Sequence, residues 1–193
     1  RPLLSFVRRI PIPFADRSPL AREFPRHSGR SAITYWPVRA CLIFNPTAKG
    51  DKARLLQRHL DAIGRECELK QTRAAGDARR LATEAVRKGF DVVVAGGGDG
   101  TLNEVVNGIA DEPDGLKKAR LGVMPLGTIN VFAREFAIPI DLQKAWQVVL
   151  EGAEIEIDLP CVTRDGAQSP HYFAQLAGAG VDAHRALERD RKT

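Results

Sequence analysis

The 193-residue sequence predicts an α/β fold: a layered parallel-sheet domain followed by the start of an antiparallel β-rich second domain. Three observations carry this. Between Val38 and Leu150, short apolar runs alternate four times with segments of helical spacing, the order that yields a parallel sheet covered by helices. At Ala153 the period changes. Ala153, Ile155, Ile157 and Leu159 alternate strictly with Glu154, Glu156 and Asp158, as in a half-buried antiparallel strand. Midway, the apolar run Phe90 to Ala95 stops at Gly96-Gly97-Gly98-Asp99-Gly100 and passes directly into a helical pattern.

Taken in order, residues 1–38 carry six prolines and show no sustained period, so mostly disorder is expected. The segment is Arg-rich and acid-poor like an organellar transit peptide, but Pro2, Pro11, Pro13, Pro19, Pro25 and Pro37 oppose the amphipathic helix such a peptide needs. A linker, or translated sequence upstream of the true start, is the plainer expectation. The α/β domain is expected over 39–151, and 152–193 reads as an incomplete start of the β-rich domain.

Val38 to Phe44 forms the first expected strand, ending in the turn-forming Asn45-Pro46-Thr47-Ala48-Lys49-Gly50. A helix from Asp51 to Ile63 places Leu56, Leu60 and Ile63 on one face and stops at Gly64. Glu66 to Thr72 is the next strand. Gly76-Asp77 then opens a helix whose apolar stripe is Leu81, Ala82, Ala85 and Val86, with Asp77 placed to cap it. After the glycine loop, Thr101 is expected to cap a helix carrying Leu102, Val105, Val106 and Ile109 inward. Asp111 to Ala119 is polar and reads as a surface connection. Arg120 to Met124 is a further strand, and a turn from Pro125 leads into a helix with Phe132 and Phe136 in the core. The last helix runs from Asp141 to Leu150, capped by Asp141, with Trp146 and Val149 on its apolar side. Beyond Leu159, strands near Cys161 to Thr163 and His171 to Ala177 flank a turn at Asp165-Gly166 as a hairpin.

Charge and cysteine usage exclude several functions. Eight arginines against Asp16 and Glu23 give residues 1–39 a net of +6, which leaves −1 of the chain's +5 for residues 40–193. The body therefore has no basic field for nucleic acid. Cys41, Cys67 and Cys161 lie far apart without metal-binding spacing, so neither a disulfide framework nor a zinc site is indicated, and a reducing, cytoplasmic setting fits. His27, His59, His171 and His184 form no metal motif. No apolar run approaches the roughly 18 residues of a membrane span.

A strand, a glycine loop and a helix N-terminus in succession make an anion site, because first-turn amides lack intrahelical partners and the peptide dipoles leave positive charge there. Four glycines permit positive φ and close backbone approach. The loop is neither the dinucleotide fingerprint, since Thr101 stands where its third glycine belongs, nor the G-x-x-x-x-G-K-[ST] loop, since no lysine follows. Asp99 is the informative departure. A carboxylate among phosphate-binding amides needs Mg²⁺ or a hydroxyl beside it, which points to phosphoryl transfer.

The stretch GGGDGTLNEVVNG resembles the nucleotide loop of the diacylglycerol kinase catalytic domain superfamily, which includes sphingosine, ceramide and bacterial lipid kinases. Its shorter core GGDGT also occurs in NAD kinases. Three further segments are similar to the family's motifs. Asn45, Pro46, Thr47, Ala48 and Lys49 resemble a loop that lies beside the nucleotide phosphates, and Thr72 to Ala78 resembles T-x-x-x-G-D-A, whose threonine approaches the nucleotide. Pro125 to Arg134 looks like P-L-G-T-x-N-x-x-A-R, with Gly127, Thr128 and Asn130 at the site; Val131 stands where many relatives carry aspartate. Phe173, Ala177, Gly178, Gly180, Asp182 and Ala183 resemble the start of the family's second domain.

The resemblance implies an ATP-dependent kinase that transfers the γ-phosphoryl of Mg·ATP to a diacylglycerol- or sphingoid-like lipid hydroxyl. Gly97, Gly98, Asp99, Gly100, Thr101, Leu102, Asn103 and Glu104 would contact the nucleotide. Asp99 would also be the catalytic carboxylate, either as base or as contact to metal or hydroxyl; other metal ligands are unknown. A transient membrane surface and a homodimer are further expected partners. The competing expectations are an NAD-kinase-like enzyme and an inactive nucleotide-binding fragment.

Overall fold

A computed structural model of the chain describes residues 8–14, 38–46, 59–60, 63–151, 153–163 and 169–175. Four parallel strands form its centre: β2 (Ala40–Phe44), β3 (Cys67–Gln71), β4 (Val92–Gly97) and β5 (Arg120–Pro125), in the spatial order β3-β2-β4-β5. The chain thus leaves β2 for one neighbour, β3, and returns to pair β4 on the other side. That reversal between β2 and β4 is a topological switch point, and ligands of open α/β sheets bind beyond the carboxyl ends of the strands there.

The sheet is covered on both faces, which is why its inner strands read as continuous apolar runs. Cys41 and Ile43 of β2 and Val93 and Ala95 of β4 join one core with helices α1 (Asp77–Arg87) and α2 (Asp99–Asp111). Ala40, Leu42, Val92 and Val94 point the other way, towards Leu142, Trp146 and Val149 of helix α5 (Leu142–Glu151). α1 and α2 cross closely at Gly108, where a Cβ would collide with the carbonyl of Arg79 and with Ala82, and the Thr83 hydroxyl donates to the Gly108 carbonyl at 2.9 Å. Asp141 caps α5 as expected, its Oδ1 accepting from the Lys144 N–H at 3.0 Å.

Several expectations need correction. Helix α2 begins at Asp99, so Thr101 lies inside its first turn and Gly98 holds the N-cap position. The polar connection after α2 contains a one-turn helix, α3 (Gly115–Lys118), because Leu116 finds a place in the core. The PLGT loop leads only into a short helix, α4 (Val131–Glu135). Most of the helix expected over Asp51 to Ile63 lies outside the described residues; His59, Leu60 and Ile63 are helical.

Residues 8–14, within the stretch expected to be disordered, form strand β1 (Arg8–Phe14), which pairs antiparallel with β6 (Ala153–Leu159) from Arg8↔Leu159 to Phe14↔Ala153. Pro11 and Pro13 stand two apart, so both missing N–H groups fall on one edge of the strand, and the other edge is free to pair. In β6, Ile155, Ile157 and Leu159 are buried and Glu154, Glu156 and Asp158 exposed, as the alternation predicts. β7 (Cys161–Val162) and β8 (His171–Tyr172) make the expected hairpin with shorter strands. No helix among the described residues is long and apolar enough to cross a membrane.

Candidate active site

At the switch point the loops are bound to one another through the backbone. The N–H of Asn45, just past β2, donates to Gly96 at 3.0 Å, and Thr72, just past β3, donates its N–H to the Phe44 carbonyl at 2.9 Å. The buried Thr72 hydroxyl reaches the same carbonyl at 3.4 Å. The loop after β5 crosses the glycine loop: Leu126 and Gly127 both donate to the Gly97 carbonyl, at 3.0 and 3.2 Å.

These crossings explain most of the glycines, and the explanation is not φ. Among the described glycines positive φ occurs at Gly76 and Gly89, not in the glycine loop. Close approach is the reason instead. A Cβ on Gly96 would sit 2.9 Å from the Leu42 side chain, one on Gly97 would collide with Thr101, and one on Gly127 would collide with the Cα of Gly98. Gly100 differs from all of them. A Cβ there meets no atom within 4 Å, although glycine in a helix costs roughly 0.5–1 kcal/mol relative to alanine. Nothing in the described protein requires its small size.

Beside this crossing lies an open cleft of about 710 Å³. Asn45 and Pro46 line one part, the loop from Thr72 to Ala75 another, and Gly98, Gly100, Thr101 and Glu104 of the glycine loop and α2 a third. Asp99, Gly100 and Thr101 occupy the first turn of α2, where helix geometry leaves amides without intrahelical acceptors. Among the described residues no hydrogen bond engages these three N–H groups.

The acidic groups around the cleft are committed to the main chain. Glu104 accepts from the N–H groups of Gly76 at 2.9 Å and Ala78 at 3.1 Å, which fixes the start of α1. Asp77 accepts from Arg73 at 2.8 Å and Ala74 at 3.1 Å. Its carboxyl is held below the usual range by the Arg73 N–H first, then by Arg80 and the Ala74 N–H. The expected cap at Asp77 therefore closes the loop before the helix and does not cap α1 from the N-cap position, which is Gly76.

Asp99 turns away from its own helix. Its Oδ2 accepts from the Val131 N–H at 3.2 Å, and its Oδ1 from the Phe132 N–H at 3.4 Å and the Gln175 side-chain amide at 2.8 Å. The carboxylate thus serves the first turn of α4. Next to it, Asn130 has φ 52° and donates from Nδ2 to the Gly127 carbonyl at 2.8 Å, while its Oδ1 is buried without a hydrogen-bond partner.

Asn103 and Asn107 extend this polar edge of α2 at helical spacing. Asn103 Nδ2 lies 3.5 Å from His171 Nε2, and the buried Asn107 binds the main chain of Tyr172 through both its amide atoms. Asp99, Asn103 and Asn107, four residues apart, thus fasten residues 171–175 along one face of the helix that carries the glycine loop.

Of the residues expected at the site, Asn45, Pro46, Thr72, Gly98, Gly100, Thr101 and Glu104 line the cleft. Gly97 and Gly127 form the loop crossing, Asn130 braces it, and Thr128 is exposed without lining the cleft. Leu102 is core, for the plain reason that it sits on the apolar stripe of α2. Thr47, Ala48 and Lys49 lie outside the described residues. Arg73, Asn107 and Gln175 were not anticipated, and no local pattern in the sequence marks them. Cys41 and Cys67 offer no nucleophile, since burial pushes the Cys41 thiol up to about 12 and the Cys67 thiol up to about 11.

A parallel sheet covered by helices on both faces, with a glycine loop at its switch point and a cleft beyond the carboxyl ends of its strands, defines an open α/β protein. Within that class the chain belongs to the diacylglycerol kinase catalytic domain family, whose model matches residues 39–162. It is 38% identical over 158 residues to the diacylglycerol kinase of Staphylococcus carnosus (strain TM300), covering 80% of this chain and 49% of the relative. It is 40% identical over 149 residues to that of Staphylococcus aureus (strain JH9), covering 74% and 44%. The chain spans about half the length of the curated relatives it matches. A solved structure of a diacylglycerol kinase from Bacillus anthracis str. Sterne aligns at 30% identity and TM-score 0.47 over 56% of this chain and 37% of that one.

Proposed function

We propose that this chain carries the nucleotide-binding part of an ATP-dependent lipid kinase, which transfers the γ-phosphoryl of Mg·ATP to the hydroxyl of a diacylglycerol- or sphingoid-like lipid. The observation that carries the reading is Gly100: a glycine in a helical first turn, lining a cleft, with open space where its side chain would be. The family membership of residues 39–162 supports kinase chemistry for that space.

Phosphoryl transfer depends on positioning and charge stabilisation more than on covalent chemistry. In this reading the first-turn amides of α2 receive phosphate oxygens, Gly98 and Gly100 let them approach, and Asn45, Thr72 and Thr101 border the nucleotide. The crossed loops hold that geometry before any ligand arrives, which keeps the reorganisation cost low. Glu104 holds the start of α1 and with it the wall formed by residues 72–76.

Among the described residues no three metal-ligating side chains come together. Mg²⁺ arriving with a nucleotide needs only one or two carboxylates besides phosphate oxygens and water. Asp99 fits, because a carboxylate has about four lone-pair sites and three N–H donors engage this one. When bound, the ion would neutralise charge on the transferring phosphoryl group. Asp99 is the residue of this chain we assign to catalysis. Residues from 152 onward would begin the domain that receives the lipid, and access to a lipid hydroxyl would come by peripheral contact with a membrane surface.

Calorimetric titration of the chain with ATP tests the first half of the reading, and transfer of radiolabel from ATP by the protein that contains it, against a panel of lipid alcohols, tests the second. Saturable ATP binding and a labelled phospholipid are expected. No ATP binding would overturn the nucleotide assignment, and label on NAD in place of lipid would transfer it to the alternative enzyme class.

A further inference from the structure

The charges lining the cleft do not balance. Its carboxylate, Glu104, is compensated by two main-chain N–H groups. Its cation, Arg73, has no side-chain hydrogen bond or ion pair among the described residues. The other arginines of this region behave differently. Arg79 pairs with Asp111 at 2.6 Å, Arg80 with Glu84 at 2.6 Å and Arg87 with Glu112 at 2.6 Å. Among the described residues the Arg73 side chain has no partner even though acidic groups are close in sequence, because Asp77 is spent on the Arg73 and Ala74 N–H groups and on Arg80.

The backbone of Arg73 is nonetheless fixed. Its N–H is held by Asp77 Oδ2 at 2.8 Å, and the preceding Thr72 is bound to the end of β2. A pinned Cα with an uncommitted guanidinium therefore lines the same cleft as the first turn of α2, which carries positive charge of its own. Two positive features on one cleft repel each other until an anion lies between them. A neutral lipid alcohol does not satisfy both; a chain of phosphates does.

We propose that Arg73 is a substrate-binding residue that grips the phosphate chain of the nucleotide opposite the α2 N-terminus. This assigns the cleft to the phosphate donor and not to the acceptor lipid, and it rests on the nucleotide reading above. The guanidinium suits the task because its planar donors match two phosphate oxygens at once.

The test titrates the chain with ATP, inorganic tripolyphosphate and adenosine, as wild type and as Arg73→Ala, Arg73→Lys and Arg87→Ala. Arg73→Ala should weaken ATP and tripolyphosphate about tenfold or more, leave adenosine unaffected and keep the melting temperature. Arg73→Lys should recover part of the loss. Arg87→Ala removes the same charge away from the cleft and should leave ATP affinity unchanged. Equal ATP affinity in Arg73→Ala and wild type would overturn the assignment while leaving the nucleotide reading intact, and so would equal losses in Arg73→Ala and Arg87→Ala. A wild-type chain that binds no ATP would overturn both.

Discussion

Asn107 pairs with Tyr172 as though it were a strand: its Oδ1 accepts from the Tyr172 N–H at 2.9 Å and its Nδ2 donates to the Tyr172 carbonyl at 2.8 Å. A helix side chain thereby supplies both hydrogen bonds that a neighbouring strand would give β8. Asn107 is 1% exposed, so no water replaces it. Asn107→Leu keeps the branched shape of the side chain and removes both bonds to buried main-chain groups, at about 1–3 kcal/mol each. Chemical denaturation should show a loss in that range, with hydrogen exchange at Tyr172 accelerated. Stability equal to wild type would refute the structural role.

Gly127 marks a second constraint. A methyl group there would collide with the Cα of Gly98, and both backbones are tied through the Gly97 carbonyl, so neither loop yields independently. Gly127→Ala should cost about 1–3 kcal/mol as an overpacking substitution and weaken ATP binding by moving the glycine loop. A variant with wild-type melting temperature would show that the loops are not in contact.

Asp99 has a structural role that can be measured without substrate. An asparagine presents one acceptor oxygen where the carboxylate presents two, and sets an amide group against the N–H donor of Val131 or against those of Phe132 and Gln175. Asp99→Asn should therefore destabilise the ligand-free chain by about 1–3 kcal/mol in addition to reducing catalysis. A ligand-free variant as stable as wild type would mean that Asp99 serves chemistry alone.

Acid should loosen the wall of the cleft. The Asp77 carboxyl is held below its ordinary value of 3.8 in the folded chain, so the native state binds fewer protons than the unfolded one as pH falls through that range. Its contribution is complete above pH 3.8 and fades below it. Asp77→Asn should remove that part of the acid dependence, read from denaturation midpoints between pH 5 and 2. An unchanged profile would contradict the assignment.

How much of this was legible in the sequence depended on how local the cause was. Strands β2, β4 and β5 were readable because each is a short apolar run closed by asparagine, glycine or proline. The start of α2 was displaced by three residues, because a cap was sought at Thr101 while the extended Gly98 fills that position. β1 was missed because its partner is β6, some 140 residues away, and prolines were weighed without regard to which edge they left open. The glycine loop was recognised for close backbone approach and for a φ freedom it does not use; the need for small residues arises from Leu42, Thr101 and Gly127, contacts between segments that no local pattern displays. Asn107 and Gln175 were invisible for a related reason, since a polar residue on a helix or loop reads as solvent-facing until the segment that covers it is known.

Gly100→Leu separates phosphate binding from folding, because a Cβ at Gly100 meets no atom of the described residues within 4 Å and leucine favours a helix. If that space is reserved for phosphate, the variant should melt at or above the wild-type temperature and lose at least tenfold in ATP affinity by calorimetry. Wild-type ATP affinity with wild-type stability would contradict the account, since the phosphate chain would then lie elsewhere than at the first turn of α2.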